Sequence, residues 1–270
     1  MCFVVKNNER LGDGMLIIDH HKLYNDLNSD KIVFLKAQFF SKKDSSTYAA
    51  SKLAYDLFNL VVDVTDMDWA ACVGILGDMG YKHWQGFFKE TLEKRGIEMR
   101  DLQKLMGLIA ACEVVNREQM PQLFWRFYEA AQPREILTQN KFGNYVLRMN
   151  KEVDSLVNGF KKDAEHYPEL QLHIYLIKPK HEGIKSYVVN ELSQSCPNET
   201  ILLIQDTGDD KLRFSARRQD GKVKLNDLLE KAVKEIPDAG AGGHVPAAAG
   251  SVPRKHVEKF KENVKKLLKR

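Results

Sequence analysis

Met15-Leu16-Ile17-Ile18-Asp19-His20-His21-Lys22 is the stretch that decides how the rest of this 270-residue chain is read. Four apolar residues followed at once by Asp-His-His predict a buried strand that delivers three polar side chains at its C-terminal end. A short, wholly apolar run is the pattern of a central strand in a parallel sheet, where both faces are covered. The carboxyl edge of such a sheet is also where α/β proteins bind ligands. Paired imidazoles beside a carboxylate suit a divalent metal, because one ring can ligate while the carboxylate fixes a ring's orientation and tautomer. Taken alone, the tripeptide fits a surface turn equally well.

Composition sets the frame. With 43% hydrophobic and 29% charged residues, the chain has enough apolar content for one large or two medium domains. No apolar run approaches the roughly 20 residues that span a bilayer, and the first residues do not read as a signal peptide. Cys2, Cys72, Cys112 and Cys196 lie far apart and form no CxxC pair. They read as reduced thiols of a cytoplasmic protein. The net charge of +4 permits a polyanionic ligand without demanding one. Residues 254–270 hold eight Lys or Arg against two Glu, and Arg213, Arg217 and Arg218 cluster upstream. This basic C-terminal half fits phosphate-backbone binding, and fits a solvated helix face as well.

Along the chain, 31–40 predicts a second strand. Asp44-Ser45-Ser46-Thr47 offers caps, or a phosphate hold, for the helix that follows. Gly77-Asp78-Met79-Gly80 closes a helix opened at Asp66-Met67-Asp68, where Asp78 is either a turn residue or a carboxylate turned toward a metal. His83 reads as surface. Residues 84–167 are nearly all helical in period, with Pro121 and Pro133 in first turns and Trp125, Phe127 and Tyr128 as core. Beyond Pro168 the pattern changes. Strands are predicted at 171–177, 200–205 and 211–217, helices at 184–194 and 225–236, and a packed last helix on Val257, Phe260 and Val264. Between these lies 239–250, small residues around His244. It predicts backbone open to close approach by a ligand, with amides for phosphate oxygens.

Three features therefore coincide in order: Ile18-Asp19-His20-His21, then Gly74-Ile75-Leu76-Gly77-Asp78, then Gly242-Gly243-His244 with Ala247-Ala248-Ala249-Gly250. Together they resemble the DHH–DHHA1 phosphoesterase superfamily, which includes RecJ-type single-strand exonucleases, nano-RNases, and phosphodiesterases of oligonucleotides and cyclic dinucleotides. Lys211-Leu-Arg-Phe-Ser215-Ala-Arg217-Arg218 looks most like archaeal RecJ-like nucleases, some of which associate with the replicative GINS complex. The resemblance implies an α/β fold: a parallel-sheet DHH domain over 1–130, incomplete at its N-terminus, a helical connector over 131–168, and a smaller mixed α/β DHHA1 domain over 169–270. It implies a cytoplasmic hydrolase in which two Mn²⁺ or Mg²⁺ ions activate a bridging water for in-line attack on a phosphodiester. His20 and Asp78 would ligate one ion, Asp19 would orient from beside it, and His21 would contact the scissile phosphate. Ser215, Arg217, Arg218, Gly242, Gly243 and His244 would hold the phosphates or terminal nucleotide of a single strand lying between the domains.

One departure is plain. The family also carries an Asp-x-Asp on its first strand and a metal-bridging Asp upstream of Asp-His-His. Only eighteen residues precede Asp19, none forms Asp-x-Asp, and Asp13 is too near to bridge comfortably. The sequence thus reads as a truncated copy, as half of a split enzyme, or as a non-catalytic nucleic-acid-binding or replisome scaffold relative.

Overall fold

The computed structural model describes residues 14–21, 25–41, 47–138 and 140–269, the side chain of Asn140 excepted. Cys2, Asp13, Asp44, Ser45 and Ser46 lie outside the described residues. The chain divides into two compact units, residues 1–112 with 118–144, and residues 113–117 with 145–270. The predicted connector region, 131–168, is shared between them.

In the first unit, β1 (Met15–Asp19) pairs in parallel with β2 (Ile32–Lys36), Ile17 opposite Phe34 and Asp19 opposite Lys36. The apolar run is the expected strand, but its burial is a correction. Ile17 and Phe34 are buried, whereas Leu16 and Val33 point to the other face and stay exposed. Period-2 geometry sends the two pairs to opposite sides, and among the described residues one side alone is fully covered. Helices follow: α1 (Ala50–Phe58), α2 (Asp68–Gly77), α3 (Gln85–Arg95), α4 (Met99–Val115), α5 (Met120–Glu129), α6 (Pro133–Leu137) and the start of α7 (Asn140–Asp163). Pro121 and Pro133 occupy first turns, where a missing N–H costs nothing. The predicted side-chain cap of α1 is absent, because Ala49 stands at that position.

Trp69, Phe88, Leu102, Leu105 and Leu123 are fully buried. The aromatic core predicted on α5 is corrected. Leu123 and Phe127, four residues apart, face inward, and Phe127 stacks on Trp69 at 5.5 Å. Trp125 and Tyr128 fall on the opposite side and are exposed, as is Phe124. Buried Asp68 is held by the Arg95 guanidinium, which also donates to the Thr65 carbonyl at 3.0 Å.

The second unit is a six-stranded sheet of β3 (Glu165–Tyr167), β4 (Leu172–Ile177), β5 (Thr200–Gln205), β6 (Lys211–Arg217), β7 (Gly240–His244) and β8 (Ala247–Pro253), ordered β3-β4-β5-β6-β8-β7. Only β4 and β5 run parallel, and a crossover through α8 (Lys185–Ser195) joins them, as parallel pairing requires. One face buries Ile174, Leu202, Phe214 and Ala216 under α9 (Leu225–Val233) and α10 (Val257–Leu268). Phe214 and Phe260 stack at 4.4 Å. The other face carries α8 and the C-terminal part of α7, where Tyr175 donates to the Leu156 carbonyl at 2.8 Å.

The segment 239–250 is the main surprise. It is a hairpin, β7 and β8 joined by Val245-Pro246, with β7 at the edge of the sheet. Gly242 has open space, whereas Gly243 and Gly250 are spent on packing: a Cβ on Gly250 would lie 2.1 Å from the Gly240 carbonyl oxygen and 2.5 Å from the Phe214 ring. Gly250→Ala is therefore expected to cost about 1–3 kcal/mol by overpacking. Gly240→Ala, with nothing within 4 Å of the added carbon, is expected to cost far less. Urea unfolding of the two variants side by side checks this. Equal losses would contradict the packing account.

Candidate functional site

The first unit gathers Asp19, His20, His21 and Asp78. Asp19 ends β1, and the parallel register sets Lys36 beside it, with Nζ 2.9 Å from Asp19 Oδ2 and 2.5 Å from the His21 carbonyl oxygen. Burial alone would raise the Asp19 carboxyl. Hydrogen bonds from Lys36 and from the His21 ring and backbone outweigh it and hold the group well below the ordinary carboxylate range. As an anion Asp19 can only accept, so His21 Nδ1, 2.7 Å from Oδ1, carries the proton and leaves Nε2 free to face a ligand. The His20 and His21 rings meet edge to face at 4.6 Å.

Asp78 arrives from α2. Gly74 lets that helix approach α1 closely, since a Cβ there would sit 2.3 Å from Ser51 Oγ. The helix then ends at Asp78, ahead of Met79 in the left-handed region (φ 57°). Asp78 Oδ2 lies 3.4 Å from His20 Nδ1. That nitrogen is buried and makes no hydrogen bond of good geometry. Burial pushes the His20 imidazole below its ordinary value, against the pull of Asp78. An orphaned imidazole nitrogen facing a carboxylate fits one divalent ion. A pair of ions fits less well. Asp19 is already neutralised by Lys36, and among the described residues no third ligating group joins His20 and Asp78. His83 is exposed, as expected.

The second unit holds the remaining residues. In the β6-β8-β7 register, Arg217 pairs with Ala247 and Ala247 with His244, while Ser215 pairs with Ala249 and Ala249 with Gly242. Paired residues share a face. Arg217, Ser215, Gly242 and His244 thus stand on the α8 side of the sheet, separated by alanines that form a low floor. Gly243 (φ 148°) is on the opposite side, its missing Cβ serving closure against the Ala247 carbonyl at 2.4 Å. Arg218 also leaves this group. It is 2 % exposed and donates to Asp220 at 2.8 and 3.0 Å and to Gln171 at 2.7 Å, bracing the sheet from within.

Sequence reading missed two residues. Lys36 pairs with Asp19, and it is recognisable only once the β1–β2 register is known. Lys185, at the start of α8, donates to the Phe214 carbonyl at 3.1 Å. Burial, with the charges of Arg213 and Arg217 beside it, pulls its ammonium down to about 8. Arg217 donates to Asn190 at 2.8 Å, the Ala216 carbonyl at 2.9 Å and Ser215 at 3.3 Å. Neither cation has a carboxylate partner among the described residues. No helix among those residues is long and apolar enough to cross a membrane.

Lys36→Met keeps the buried stem and removes the charge from Asp19. The loss of a charge-assisted bond predicts about 1–3 kcal/mol of destabilisation, read as a lowered thermal midpoint. An unchanged midpoint would remove Lys36 from the account.

Residues 171–270 match the DHHA1 domain family. No curated protein matches the chain in sequence. Among solved structures, RecJ of Thermus thermophilus in complex with Mn²⁺ superposes with a TM-score of 0.65 at 16% identity, over 94% of this chain and 41% of that one. An exonuclease RecJ bound to manganese gives 0.62 at 16%, over 95% and 69%. A DHH domain from a protein described as a member of a ribosomal-protein family gives 0.64 at 14%, over 94% and 63%. The chain thus spans about two fifths of the length of the first of these relatives. It carries a DHHA1 domain over residues 171–270 and has the fold of the DHH–DHHA1 superfamily, with a resemblance to RecJ.

Proposed function

We propose that this protein binds the phosphodiester backbone of single-stranded nucleic acid or short oligonucleotides through its DHHA1 unit, and that the His20–Asp78 pair serves metal-dependent phosphodiester hydrolysis. The observation that carries the binding reading is the Lys185–Arg217 pair. A half-buried ammonium and a half-buried guanidinium share one region, and every hydrogen bond they make among the described residues goes to a neutral oxygen. Partly desolvated cations without a carboxylate partner carry a cost, and an incoming phosphate relieves it for both. Arg217 presents a planar fork suited to phosphate oxygens, and the alanine floor beside it leaves room for a backbone to lie close.

For the hydrolytic half, Mn²⁺ or Mg²⁺ held by His20 and Asp78 would supply a Lewis acid and an activated water. His21, its proton fixed on Nδ1 by Asp19, presents Nε2 as an acceptor for a bound water, and would donate to a phosphoryl oxygen only as the doubly protonated ring. A second reading, binding without catalysis, is favoured by one observation. Lys36 already neutralises Asp19, which lowers that carboxylate's attraction for a metal cation.

Two measurements test these readings. Anisotropy with a labelled single strand should show Lys185→Met weakening binding by about 1.5–3 kcal/mol, roughly ten- to a hundredfold. Wild-type affinity should fall as the pH is raised through about 8, where Lys185 loses its proton, and the variant should lack that step. The sign follows because phosphate binds the protonated lysine. An unaltered affinity in Lys185→Met would refute the binding site. Mn²⁺-dependent release of label from an end-labelled strand, abolished in both His20→Ala and Asp78→Ala, supports hydrolysis. Binding with no metal-dependent release supports the non-catalytic reading.

A further inference from the structure

A second group of metal-type donors stands elsewhere, and the phosphodiester reading makes no use of it. His166 on β3 and His173 on β4 are cross-strand partners, and Glu199 immediately precedes β5. The alternation of these strands sets all three side chains on the α7–α8 side of the sheet. The imidazoles stack in parallel, with centroids 4.1 Å apart and planes at 0°. Their Nε2 atoms converge on one carboxylate, His173 at 2.7 Å from Oε2 and His166 at 3.6 Å from Oε1. The Phe160 ring packs on His173 at 5.0 Å and limits its rotation. One donor atom from each of the three lies within 4.8 Å of the others, the only such three-donor group among the described residues.

We propose that His166, His173 and Glu199 form a binding site for a borderline divalent transition ion, with Zn²⁺ as its principal occupant and solvent in the fourth position. Zinc takes nitrogen at about 2.0–2.1 Å and oxygen at about 2.0–2.2 Å, which sets tetrahedral donors roughly 3.3 Å apart. The observed separations of 2.7 and 3.6 Å bracket that value. Binding replaces the His173–Glu199 hydrogen bond with a coordinate bond from each, and the half-exposed His166 ring turns out of its parallel stack so that both in-plane lone pairs meet at the ion. His166 is half exposed, so the ion has a way in. Two imidazoles and one carboxylate favour zinc over Mg²⁺ or Ca²⁺, which prefer oxygen sets. The ion would tie the three-residue edge strand β3 to the body of the sheet. The site is a structural fastening, separate in residues and in metal preference from His20 and Asp78.

The test uses the full chain, stripped with chelator, in a His20→Ala/Asp78→Ala background so that the other candidate ligands are gone. Titration calorimetry with Zn²⁺ should show one bound ion, and Co²⁺ should give the visible absorption of a tetrahedral nitrogen–oxygen site. Adding His166→Ala, an exposed position whose loss leaves the fold intact, should weaken Zn²⁺ binding by roughly 10- to 100-fold and abolish the thermal stabilisation by zinc. Glu199→Gln should do the same. No Zn²⁺ binding in the background chain, or binding that His166→Ala leaves unchanged, overturns the proposal.

Discussion

A half-buried guanidinium and a half-buried ammonium, with only neutral oxygens for partners among the described residues, are the constraint around which the C-terminal unit is arranged. Arg217 ends β6, and Lys185 opens the helix that crosses over the same face. The crossover that joins parallel β4 and β5 therefore also brings the two cations together. The sheet has to supply oxygens for them, which it does with the Phe214 and Ala216 carbonyls and Ser215, while α8 adds Asn190. The opposite face of the same strands is largely apolar, closed by the Phe214–Phe260 stack. Strand alternation thus divides one short run, Lys211–Arg217, into a core-building half and a polar half that faces α8.

The N-terminal unit meets the opposite situation. Its carboxylate at the strand end is satisfied rather than waiting: Asp19 accepts from Lys36 on one oxygen and from His21 on the other. What remains unsatisfied is the His20 nitrogen, buried and facing Asp78. Charge that awaits a ligand is thus anion-seeking in one unit and weakly cation-seeking in the other.

Much of this was legible in the residues. Asp-His-His after an apolar run located β1 and its polar tip, and the run from Lys211 to Arg217 read as the alternating strand it forms. The stripe Val257, Phe260, Val264 became the packed face of α10. Failures came where tertiary pairing decides. Nothing local shows that Lys36 faces Asp19, because only the parallel register brings them together. Lys185 looks like any helix-opening lysine until α8 covers β6. The glycines and alanines of 239–250 suggested room for a ligand, yet Gly250 and Gly243 are small so that two strands and a Phe ring can close on one another. Arg217 and Arg218 are adjacent in sequence but lie on opposite faces, which only the strand assignment separates. Trp125 and Tyr128 carry the composition of a core on the outer side of their helix.

The central claim is that Lys185 and Arg217 form an anion site, held ready by partial desolvation and by the absence of a carboxylate partner among the described residues. The direct measurement is the pKa of the Lys185 ammonium, followed by NMR of the lysine side chain with and without a short single-stranded oligonucleotide. The account predicts a value of about 8 in the free protein that rises when the oligonucleotide binds, because phosphate favours the charged form. An ordinary lysine value in the free protein, or one indifferent to the oligonucleotide, would contradict it.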